Sequence, residues 1–117
     1  MTNLDYSMSN GLTKRNEETI WAIFKRYPKV ESVYVFGSRA KESFKEGSDI
    51  DLVIMRGDVS YLDLIRIKSA FEDSDLPYTV DVLYYAEIKN KELKAHIDRI
   101  GKPFYKRKAL ASSILSN

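Results

Sequence analysis

Cysteine is absent from this chain, and histidine occurs once, as His96. The two shortages exclude disulfide staples, thiolate centres and ordinary structural zinc, which needs several sulfur or imidazole ligands. Any metal chemistry must then use oxygen ligands. Long apolar runs are missing as well: nothing approaches the roughly 18 to 20 apolar residues of a membrane-spanning helix. Met1 to Asn10 is polar and has no apolar signal-peptide core, so the expectation is a cytoplasmic protein without membrane attachment. Charge of one sign is also scarce, since 19 Lys and Arg stand against 17 Asp and Glu for a net of +2. So slight an excess gives no reason to expect direct nucleic-acid binding, which needs basic groups gathered on one surface. The one local concentration, Lys102, Lys106, Arg107 and Lys108 around Phe104 and Tyr105, reads as a solvated basic tail.

What is present suits one small domain. The chain has 117 residues, 44% hydrophobic and 12% aromatic, enough for a modest core. Residues 1–12 read as a flexible lead, 13–101 as the folded domain and 102–117 as the basic tail. Thr13 caps a first helix to about Tyr27, with Ile20, Ile23, Phe24 and Tyr27 at helical spacing and Pro28 as the stop. A strand at Ser32–Phe36 follows, then a short helix from about Arg39 to Phe44, and a strand at Asp49–Met55. Asp58 or Ser60 opens a second long helix to about Asp73; a strand around Asp81 and a helix capped by Asn90 complete the domain. The order α-β-α-β-α-β-α predicts an α/β (α+β) fold, a small mixed sheet with helices covering one face.

The chemistry concentrates between Gly37 and Leu52. Ser32–Phe36 ends at Gly37-Ser38, where a helix can begin and leave backbone N–H groups free for a phosphate. Gly37 lets the backbone approach an anion, Ser38 adds a hydroxyl donor, and Arg39 or Lys41 can add charge. Asp49 and Asp51 then fall on one face of a strand, about 7 Å apart by the rise per residue, close enough to converge on hard cations. Asp81, one acid in the apolar run Thr79–Leu83, is a third candidate if its strand pairs beside the first. Three carboxylates at one sheet edge repel strongly unless metal neutralises them. Alternatives stay open for the neighbours. Arg39 reads either as a phosphate ligand or as a surface ion pair, and Ser48 either caps the turn or touches phosphate. Tyr84 and Tyr85 pack at the sheet end or stack on a base, and His96 reads as exposed on a charged helix.

Gly37-Ser38, ten residues, Asp49-x-Asp51 and a later strand acid at Asp81 together resemble the DNA polymerase β-type nucleotidyltransferase superfamily. Over roughly Thr13 to Ile100 the chain is similar to its minimal nucleotidyltransferases, which pair with separately encoded helical proteins, often of HEPN type. The resemblance implies a polymerase β-like fold and ATP or another nucleoside triphosphate as substrate. It implies two Mg2+ or Mn2+ ions, with Asp49 and Asp51 on both and Asp81 on one, beside the acceptor hydroxyl. Gly37, Ser38, Arg39 and Ser48 would contact the nucleotide phosphates. It further implies transfer of AMP to the helical partner, with an antitoxin role in a toxin–antitoxin pair, and leaves a homo-oligomer open. The competing expectation is a non-catalytic module of the same fold that acts by occupancy. With only a short stretch after Asp81, the acceptor is expected to come from another chain. The apolar residues of that stretch, Tyr84, Tyr85, Leu93, Ile97, Phe104 and Tyr105, exceed what one short helix can bury, and some of them are expected to form an exposed docking patch for that chain.

Overall fold

Three side-chain caps set where the helices begin. Thr13 Oγ1 accepts a hydrogen bond from the Asn16 amide at 3.1 Å, Ser60 Oγ from Asp63 at 3.1 Å, and Asn90 Oδ1 from Leu93 at 3.0 Å. Each satisfies an amide that the helix itself leaves unpaired, and Glu17, Asp63 and Glu92 add favourable negative charge to the first turns. The structure, a computed structural model, describes residues 11–41, 45 and 47–107. The capped helices are α1 (Lys14–Lys25), α2 (Tyr61–Glu72) and α3 (Lys91–Ile100). The strands are β1 (Val30–Phe36), β2 (Ile50–Gly57), β3 (Val80–Tyr84) and β4 (Lys102–Lys106).

The strands form one sheet in the order β3-β2-β1-β4. β1 runs antiparallel to both β2 and β4, whereas β2 and β3 are parallel, joined by the α2 crossover. The mixed sheet was expected; its fourth strand was not. Lys102–Lys106, read from the sequence as the start of a tail, pairs with β1, and Phe104 and Tyr105 are buried. Lysines at both ends and Pro103 near its start disguise the strand, and all three are tolerated because it is an edge strand.

The sheet is covered on both faces, not on one as expected. On the first, Ile20, Ile23 and Phe24 of α1 and Leu64, Ile67 and Phe71 of α2 pack on Val33, Val35, Leu52, Ile54 and Val82. Phe24 is fully buried, its ring 5.5 Å from Phe71 and 5.6 Å from Tyr105. On the second face, Ile97 and Leu93 of α3 pack against Phe36, Val53, Met55 and Leu83. A helix reaches each face because β2 and β3 alternate two apolar sets instead of one apolar and one polar set. Among the described residues, no helix is long and apolar enough to cross a membrane.

Candidate active site

Asp51 and Asp81 are register partners on the parallel strands β2 and β3. Neighbouring strands lie about 4.8 Å apart, so the two acids are as close as sheet geometry allows. Period-two alternation puts Asp51 on the side of Val53, and Asp81 on the side of Leu83, hence on the α3 face at the start of both strands. Asp49 lies just before β2, whose first amide, that of Ile50, donates to the Thr79 carbonyl at 2.9 Å. Asp51 is half-buried while Asp49 and Asp81 are exposed. Burial, then the charge of Asp81, then that of Asp49 raise the Asp51 carboxyl above its ordinary pKa. The field at Asp51 therefore registers both other acids.

Opposite these acids β1 ends. Phe36 is extended, and Gly37 turns the chain at φ +71° into a single 3-10 turn, Gly37–Ala40, in place of the expected short helix from Arg39. Glu42 to Phe44, the rest of that expected helix, lie outside the described residues. A turn this short carries little helix dipole, so its local donors are backbone amides and the exposed Ser38 hydroxyl. Gly37 is required twice over. Its φ is in the left-handed region, and a Cβ there would come within 3.0 Å of Asp51 Cγ and closer still to Oδ2.

Arg39 lies inside the fold and not at its surface. It is 1% exposed; Nε and Nη2 donate to the Ser48 carbonyl at 3.0 and 2.9 Å, and the guanidinium carbon lies 4.5 Å from the centroid of the Tyr78 ring. The surface position expected for it is thereby corrected, because the group is enclosed between two segments of the fold. The Ser48 hydroxyl donates to the Lys45 carbonyl and so ties the turn that precedes Asp49. Tyr78 was missed in the sequence reading. No local pattern marks it, since its role depends on Arg39 meeting it across the fold.

Three of the six residues offered for a docking patch lie in the core, while Tyr84, Tyr85 and Leu93 are half-buried. Ile97, Phe104 and Tyr105 are buried, Tyr84 donates its hydroxyl to the Gly57 carbonyl at 2.7 Å, and Tyr85 bonds Asp98 at 3.0 Å. The unforeseen β4 takes Phe104 and Tyr105 into the core, and the packing of α3 on the sheet takes Ile97. Among the described residues, the large apolar side chains left exposed are Tyr61, Leu62 and Ile65 of α2. His96, expected to be exposed, is half-buried on α3.

Among the described residues, no three acidic or imidazole side chains already stand close enough to enclose a metal ion. The donor chemistry nevertheless fits a hard cation. It is all oxygen, Asp51 carries unrelieved carboxylate repulsion, and the exposed Asp49 and Asp81 leave room for phosphate oxygens as further ligands.

Comparison with known proteins agrees with this geometry. A Haemophilus influenzae protein named Probable protein adenylyltransferase MntA is 45% identical over 56 residues, 47% of this chain and 49% of that protein. The match thus spans about half the length of that relative. MJ1217 of Methanocaldococcus jannaschii, also named as a protein adenylyltransferase, is 38% identical over 77 residues, 65% of this chain and 78% of that protein. The fold is similar to a chain of a toxin–antitoxin crystal structure with AMP-PNP, at a TM-score of 0.64 and 22% identity, covering 80% of this chain and 76% of that one. It is similar also to a chain of a tri-AMPylated Shewanella oneidensis HEPN toxin in complex with MNT antitoxin, at a TM-score of 0.60 and 20% identity, covering 82% and 74%. Residues 18–110 match the family described as Polymerase beta, Nucleotidyltransferase. With the Gly-Ser turn lying over one acid of a paired-strand carboxylate set, and this match running through all four strands, the chain belongs to the polymerase β nucleotidyltransferase family.

Proposed function

We propose that this chain transfers AMP from ATP to a hydroxyl group on a separately encoded helical partner of HEPN type, as the antitoxin of a toxin–antitoxin pair. The observation that carries the reaction is the Asp51–Asp81 register pair with Gly37 lying over Asp51. The names of the relatives support AMP as the group and protein as the acceptor. The toxin–antitoxin complexes that share the fold support the partner.

The chain's own groups divide the work. Gly37 brings the backbone close to the β- and γ-phosphates without a Cβ in the way, and Ser38 donates a hydroxyl to them. Asp49, Asp51 and Asp81 would hold two Mg2+ or Mn2+ ions, which supply charge neutralisation for the triphosphate and for the departing pyrophosphate. Asp81 is exposed on an edge strand, which leaves it open to an incoming acceptor. The acceptor oxygen forms a bond to the α-phosphorus while the bond from that phosphorus to the bridging oxygen breaks. Pyrophosphate leaves with the electron pair, and the hydroxyl proton passes to the Asp81 carboxylate and on to water.

Intact-mass spectrometry of the co-expressed partner tests this reading. Incubation with ATP and Mg2+ should raise the partner's mass by one AMP per modified hydroxyl, and Asp51→Asn should abolish the gain. A stable complex whose partner stays unmodified would favour a module that regulates by occupancy.

A further inference from the structure

Asp49 is held from both sides by groups outside its own segment. After it, the Ile50 amide donates to Thr79; before it, the Ser48 carbonyl accepts two hydrogen bonds from the Arg39 guanidinium. The Ser48 carbonyl and the Asp49 amide belong to one peptide plane, so fixing that oxygen also fixes the direction in which the chain reaches Asp49. The guanidinium is in turn located by the Tyr78 ring, three residues before Asp81 on the lead into β3. Arg39 thus joins three segments: the Gly37-Ser38 turn it follows, the approach to Asp49 and the approach to Asp81.

We propose that Arg39 is a positioning residue. It brackets the Gly-Ser turn to the two strands that carry the acids, and it sets Asp49 in register with them rather than contacting phosphate. Its enclosure at 1% exposure, and the direction of Nε and Nη2 toward Ser48, support that role. Arginine suits the task because one planar fork can send two N–H groups to a single oxygen while its face lies on an aromatic ring. Lysine offers a point charge and cannot do both. The part this plays in nucleotide binding rests on the nucleotidyl-transfer reading; the bracket itself does not.

Hydrogen exchange and calorimetry on the full chain separate the two. In Arg39→Met the Ser48 and Ile50 amides should exchange faster by about tenfold, while amides within α1 keep their protection. Arg39→Lys should fall between wild type and Arg39→Met. MgATP affinity, measured by titration calorimetry, should weaken by about tenfold in Arg39→Met. Unchanged exchange at Ser48 and Ile50, or an equal rise throughout α1, would overturn the bracket. If Arg39→Met does not fold, the pair Tyr78→Phe and Tyr78→Leu decides. Faster loop exchange in the leucine variant alone supports the bracket, and equal exchange in the two overturns it. Asp51→Asn is the control on the underlying reading: wild type and Asp51→Asn binding MgATP alike would sink nucleotidyl transfer, while the loop exchange would still judge Arg39.

Discussion

Gly37 lies over the Asp51 carboxylate so closely that no side chain can stand between them. The turn from β1 and the start of β2 therefore form one surface, which on the proposed reading makes a bound phosphate and a cation ligand neighbours. Gly37→Ala should force apart the two groups that the reaction needs together. It places a Cβ at φ +71°, at a strain of about 1–2 kcal/mol, and pushes against Asp51. Thermal melting should show a loss of that order, and transfer should fall far more than the loss of folded protein explains. Ser38→Ala, on an exposed side chain, should leave the melting temperature unchanged while weakening MgATP.

Removing charge at Asp51 should stabilise the fold as it abolishes transfer. The folded-state pKa of Asp51 lies above its ordinary value of 3.8, because of burial first and then of Asp81 and Asp49. In that window the native state holds a proton that the unfolded chain has released, so stability falls as pH rises through it and stays lower above it. Asp51→Asn should consequently melt higher than wild type at neutral pH. The difference should shrink as pH drops below the folded-state value and vanish below the ordinary one. Melting curves across acidic pH check this, and a variant that melts lower at neutral pH would contradict the assigned repulsion.

Metal affinity should depend on nucleotide. Asp49 and Asp81 are exposed and the acids alone do not enclose an ion, so Mg2+ should bind weakly to the chain and more tightly with ATP, whose phosphates add oxygen ligands. Equal Mg2+ affinity with and without ATP, measured by calorimetry, would count against the site.

The fourth strand should prove integral to the fold. Phe104 is buried with its ring 6.0 Å from Trp21, whose indole Nε1 donates to the Phe104 carbonyl at 3.0 Å. Phe104→Ala should cost about 3–5 kcal/mol. Because Trp21 is the chain's single tryptophan, its fluorescence should report the undocking of β4 directly.

By itself the sequence determined whatever rests on near neighbours along the chain. Thr13, Ser60 and Asn90 start helices because each side chain reaches an amide three residues ahead, and the spacing of Ile20, Ile23 and Phe24 states which side of α1 is apolar. Gly37-Ser38 and Asp49-x-Asp51 were legible for a similar reason, since a tight turn and a two-residue repeat carry their geometry locally. Only the tertiary structure decided that Asp81 stands opposite Asp51, because register belongs to a pair of strands and to neither alone. Pairing with β1 likewise turned the lysine-rich Lys102–Lys106 into a strand and took Phe104 and Tyr105 from the surface into the core. Arg39 depended on the fold most of all. A guanidinium that a short segment would leave in water is enclosed only when Ser48 and Tyr78, brought in by β2 and β3, arrive to bond its edge and cover its face.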